Sequence, residues 1–172
     1  MDNIRRIAQK IVMASEGITN ANDMCLAIEE QVKRIFPDSM ANVGFSNNLM
    51  SSITLYFTLG KDKSEYINGY WDNDPAKTIF HISGKVIEDI KDDGEITGPL
   101  SCEMLTGSIY TKPPKDSYLA MGRIKVPYRK TTGTPEKIIE SIKKHFTNLK
   151  KTLQDNRENL TDDSLALIGD KF

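Results

Sequence analysis

The sequence predicts an α+β protein, a two-layer sandwich. An antiparallel sheet of about five strands is expected to carry two N-terminal helices and one long C-terminal helix on one face. Three observations predict it. Apolar residues recur at helical spacing towards both ends of the chain and at a spacing of two in the middle. Short turn signals divide the middle, and consecutive strands joined by tight turns pair antiparallel. The strand–helix–strand alternation that a doubly wound nucleotide-binding fold requires does not occur.

Ile4, Ile7, Ala8, Ile11 and Val12 set a helical stripe over the first fifteen residues, ending near Gly17. Asn20 and Asn22 are cap candidates for a second helix, whose apolar face is Met24, Cys25, Ile28, Val32, Ile35 and Phe36. Pro37 stops it. The period then changes. Ile53, Leu55, Phe57 and Leu59 alternate with Thr54, Tyr56 and Thr58, the pattern of a half-buried strand.

Gly60-Lys61-Asp62-Lys63 reads as a turn, 65–71 as a returning strand and Asp72-Asn73-Asp74-Pro75 as a further turn before a strand over 77–83. Residues 84–99 make a long connection with a short strand or helical turn at 86–90. Two more strands are expected over 100–110 and 118–126. The last helix has the firmest signals. Thr134 can cap it, Pro135 suits its first position and Glu136 its first turn. Ile138, Ile139, Ile142, Phe146, Leu149 and Leu153 follow as one stripe. Residues 1–156 therefore read as a single domain, and 157–172 as an acidic C-terminal tail with a short docked helix.

Composition bounds the class. A chain of 172 residues with 38% hydrophobic and 27% charged content has the make-up of a soluble globular domain. The longest apolar runs span only a few residues, so no membrane contact is expected. The N-terminus has no continuous apolar stretch behind its charges, so a signal peptide is not expected. A cytoplasmic location is the default, that of the host cell if the protein is viral. Cys25 and Cys102 form no C-x-x-C and read as buried reduced thiols.

Charge is unevenly distributed. The whole chain sums to −1. Between Lys112 and Lys151, however, stand Lys112, Lys115, Arg123, Lys125, Arg129, Lys130, Lys137, Lys143, Lys144, Lys150 and Lys151, opposed only by Asp116, Glu136 and Glu140. Such an excess can hold a polyanion through salt-sensitive phosphate contacts. The candidate nucleic-acid-binding residues are Arg123, Lys125, Arg129, Lys130, Lys143, Lys144, Lys150 and Lys151. Tyr110, Tyr118 and Tyr128 interleave with them as stacking candidates. Strand parity sets Tyr118 and Tyr128 with Ile124 and Val126, away from Arg123 and Lys125. An exposed, lysine-rich helix face explains much of the same pattern.

After residue 151 the sign reverses: Asp155, Glu158, Asp162, Asp163 and Asp170 outnumber Arg157 and Lys171, and the chain ends on Phe172. An acidic tail with a terminal aromatic resembles the competing tails of single-strand binding proteins. Leu165, Leu167, Ile168 and Phe172 are the candidate partner-binding residues.

Catalytic and metal signatures are weak. Glu88, Asp89, Asp92, Asp93 and Glu95 crowd one loop, but an EF-hand register puts Lys91 and Leu100 where oxygen ligands are needed. No metal and no cofactor is expected. His81 and His145 sit in separate elements without an H-E-x-x-H. Neither a Walker loop nor a Gly-x-Gly-x-x-Gly occurs. Asp72 and Asp74 beside Tyr70, Trp71 and His81 are the only catalytic candidates, and they read more simply as a turn.

The motif-free, Asn-rich texture resembles that of the small accessory and virion-associated proteins of bacteriophages. The first expectation is a non-enzymatic binding or assembly protein acting through protein–protein contacts or self-association. The second is a nucleic-acid binder using residues 112–151 with an autoinhibitory tail. An enzyme with an unrecognised site ranks third.

Overall fold

The computed structural model describes residues 17–37, 40–47, 51–58, 81–87, 89–104, 108–113, 122–125, 128–160 and 165. These form an α+β structure of two helices and two antiparallel sheets. The stripe expected over the first fifteen residues lies outside the described part, as do the expected turn at 60–63, the strand over 65–71 and the turn at 72–75.

Helix α1, Ala21–Ile35, begins at Asn20, whose extended backbone lets its side chain accept the Asn22 N–H at 2.8 Å. Ala21, Met24, Cys25, Ile28 and Val32 form its buried stripe. On its outer side Glu29 pairs with Lys33 and Glu30 with Arg34 at i,i+4 spacing.

Helix α2, Pro135–Asp155, is capped by Thr134 and buries Ile138, Ile142, His145, Phe146, Leu149 and Leu153. The helices meet where the Phe36 and Phe146 rings pack edge to face, 6.4 Å between centroids. Nearby, Lys150 Nζ donates to the Ile35 carbonyl at 3.0 Å and lies 6.0 Å from the centre of the Phe36 ring.

The strands are β1 (Met40–Ser46), β2 (Ser52–Thr58), β3 (His81–Ile87), β4 (Leu100–Met104), β5 (Ser108–Thr111), β6 (Gly122–Lys125) and β7 (Arg129–Gly133). The larger sheet runs β1-β2-β3-β4-β7, and β5 pairs with β6 in a separate ribbon. Ile53, Leu55, Leu100, Cys102 and Met104 are buried with the helix stripes in one core. Each fully buried side chain of this kind is worth roughly 1.5–3 kcal/mol. Directly opposed residues of an antiparallel pair share a face. Thr131, opposite Cys102, is therefore core-facing, and its hydroxyl meets that of Ser141 on α2 at 2.7 Å.

The strands are not those of the expected meander. Arg129–Gly133 has no apolar alternation and is a strand through its ladder with β4. Met40–Ser46 does alternate, Ala41, Val43 and Phe45 against Asn42, Gly44 and Ser46, but its Asn and Gly mimic a connection. The run expected over 100–110 is two strands in different sheets; of the strand expected over 77–83, residues 81–83 are described and belong to β3, which continues to Ile87 into the expected connection.

The acidic loop after β3 is a brace. Ile90 bridges to Ile96, and Asn20 bridges to Glu95. The Gly94 carbonyl accepts the Ala21 N–H at 2.7 Å, and the Thr19 carbonyl accepts the Ile96 N–H at 2.8 Å. Gly94 has φ +90°, with Asn20 Nδ2 3.3 Å from where a Cβ would stand. Residues 157–160, assigned from sequence to the tail, join the fold: Leu160 is fully buried and bridges to Thr111.

Candidate functional site

Among the described residues, several of the basic side chains have separate partners. Lys150 caps α1 as described and is part of the helix–helix joint. Lys143 pairs with Glu140 at 3.7 Å. Lys130 lies opposite Glu103 in the ladder, with its Nζ 3.3 Å from the carboxylate. Arg129, its neighbour, has the opposite parity; it lies opposite core-facing Met104 and is half-buried. Lys112 is drawn to the turn after α2: its N–H donates to the Asn159 carbonyl at 2.7 Å and its Nζ to that of Glu158 at 3.3 Å.

Arg123 and Lys125 belong to β6 of the separate two-stranded sheet; the ladder sets Tyr110 opposite Arg123 and Ser108 opposite Lys125. Lys144 and Lys151 remain exposed on α2. Lys137, outside the predicted set, precedes them at the same interval. At a seven-residue spacing the three recur about every 10 Å along almost one line of the helix.

Tyr128 is 49% exposed at the foot of β7. Desolvation, and then the hydrogen bond and charge of the Glu103 carboxylate, hold its hydroxyl above the usual phenol range. Leu165 packs half-buried against the core, while Leu167, Ile168 and Phe172 lie outside the described residues.

The buried titratable groups have structural explanations. Burial raises the Cys25 thiol to about 11 and the Cys102 thiol to about 12, so neither is a thiolate nucleophile near neutrality. Burial, with the Arg129 charge second, lowers His145 to about 4. Its ring is neutral and packs edge to face on Phe146, and among the described residues Nε2 has no hydrogen-bond partner. Among these residues no three His, Cys, Asp or Glu side chains stand together as metal ligands, and no helix is long and apolar enough to cross a membrane.

A feature missed in the sequence reading is the outer edge of β1, which ends the sheet of the described residues. The register Met40↔Thr58 through Ser46↔Ser52 is continuous, so no bulge interrupts the strand. On its other side no strand pairs with it among the described residues. None of its seven residues is charged and none is proline. Ala41, Val43 and Phe45 are half-buried against the core, whereas Asn42, Gly44 and Ser46 are exposed. Nothing lies within 4 Å of where a Cβ on Gly44 would stand. The absence of charge between Phe36 and Lys61, apart from Asp38, was the available signal.

Comparison with protein-family models, with curated proteins and with solved structures finds no match to this chain.

Proposed function

We propose that this chain is a non-enzymatic binding or assembly protein, of accessory or structural type, that makes its protein–protein contact by strand addition at β1. The observation that carries the reading is the uncharged, unbulged outer edge of Met40–Ser46. Folded proteins commonly protect such edges with charges, proline, bulges or short strands, because an open row of N–H and C=O groups templates pairing with another chain. Main-chain hydrogen bonds to an added strand supply affinity, and alternate side-chain positions supply selectivity.

Position-specific photo-cross-linking tests it. A cross-linking residue placed at Asn42, exposed on β1, is expected to capture protein, either in the purified sample or in an extract of the source cells. The same residue at Thr132, exposed on β7, serves as the comparison. Equal capture from both sites, or none from Asn42, overturns the reading.

Nucleic-acid binding is the second reading. It rests on the exposed line Lys137, Lys144 and Lys151, for which no acid partner is found among the described residues, and on the basic β5–β6 ribbon with Tyr110 opposite Arg123. Substituting all three lysines by Glu, with Lys150 left in place, should abolish oligonucleotide binding at low salt if this surface holds phosphates. Binding that survives the substitution removes the reading.

A further inference from the structure

We infer that the strand added to β1 is the β1 of a second copy of this chain, paired antiparallel about a two-fold axis through Val43. The inference rests on the strand-addition reading and names its partner. Its ground is the self-complementarity of Met40–Ser46. A two-fold at Val43 sets Val43 against its own copy, Ala41 against Phe45, Asn42 against Gly44 and Met40 against Ser46. All of these pairings preserve parity. The core-facing residues of one copy therefore meet those of the other, and the two sheets continue as one with their cores on the same side.

The side-chain match follows from residue size. Ala41 and Phe45, both half-buried at the open edge, put a small side chain beside a large one. On the opposite face Asn42 meets Gly44, where the space around a missing Cβ is empty. A strand glycine outside a bulge often marks close approach of another backbone. With no charged residue in the strand, the symmetric pairing opposes no like charges.

Symmetry also favours the copy of β1 over the copy of β7. Pairing β1 with β7 would be head-to-tail and would leave an open edge at each end for continued growth, whereas β1 with β1 closes at two copies. In addition, β7 has five residues to the seven of β1, and it carries Arg129 and Lys130. A contact confined to one strand pair is small, and a dissociation constant in the micromolar range is expected.

The test is sedimentation of the purified full chain over concentrations up to about 1 mM, with two variants that read the register. In Asn42→Lys/Gly44→Lys the introduced lysines oppose one another twice across the two-fold, and dimer affinity should fall about tenfold or more. In Asn42→Lys/Gly44→Glu each lysine meets a glutamate, and affinity should equal or exceed that of the natural chain. Both positions are exposed, so circular dichroism should show both variants folded.

A natural chain that stays monomeric throughout overturns the inference, as do two variants with the same affinity. Monomeric protein that still cross-links from Asn42 to another protein in extract would leave strand addition standing and remove only the second copy as partner.

Discussion

The two outer strands of the larger sheet, β1 and β7, end the same ladder in opposite ways. Strand β7 is short and guarded. Lys130 is tied to Glu103, Arg129 sits beside the buried His145, and the Lys137 chain lies over Gly133, its Cδ 2.6 Å from where a Cβ would stand. Strand β1 is longer, has no titratable group and has no partner strand on its outer side among the described residues. The contrast teaches that charge at a sheet edge must be read by parity and pairing. Two adjacent bases on β7 serve different faces, and the functional candidate is the edge with no charge at all.

The largest effect expected on this comparison comes from the core that both edges share. Phe146→Ala removes a fully buried ring between the helices and should destabilise the protein by about 3–5 kcal/mol in urea denaturation. Amide exchange in β1 and β7 should accelerate together. Acceleration confined to β7 would show that the edges rest on separate cores.

Acid should act next, through His145 of α2, which lies beside Arg129 of β7. The His145 pKa is about 4 in the folded chain against an ordinary 6.5. The unfolded state therefore takes up its proton first as pH falls. Stability from this group is complete above pH 6.5 and lost progressively between 6.5 and 4, by roughly 2–3 kcal/mol. Urea midpoints across that range should slope for the natural chain and flatten for His145→Leu. An equal slope in both would assign the effect elsewhere.

Helix caps discriminate on a finer scale. Asn20→Ala should cost about 1 kcal/mol, since its bond to the Asn22 N–H is 2.8 Å and the residue also joins the loop brace beneath α1. Thr134→Ala at the start of α2 should cost less, because its hydroxyl is 3.4 Å from the Lys137 N–H. Thermal midpoints in the reverse order would contradict that ranking. The smallest effect belongs to the guard itself: Lys130→Ser should cost a few tenths of a kcal/mol, the value of one exposed cross-strand pair. A loss above 1 kcal/mol would mean that this pair does more than protect the edge.

Helix α2 was legible almost residue by residue. Its Thr134 cap, its Pro135 start and the stripe of Ile138, Ile142, Phe146, Leu149 and Leu153 are local features of period 3.6, and local periodicity survives without knowledge of neighbours. The cap of α1 was legible as a choice between Asn20 and Asn22, which the Asn22 N–H donating to Asn20 resolves. Strand β7 was not legible. Arg-Lys-Thr-Thr-Gly has no pattern of its own and becomes a strand because β4 offers it a ladder.

The chain by itself determined the α+β class, the two described helices and their inward faces, because each follows from spacing within a few residues. Tertiary structure alone decided what the charges do. It spent Lys150 and Lys112 on carbonyls, Lys130 and Lys143 on carboxylates, and left Lys144 and Lys151 in solvent. Which strand stands at the edge is likewise a long-range fact. Met40–Ser46 ends the sheet of the described residues because of where four other strands lie, and no spacing within its seven residues records that order.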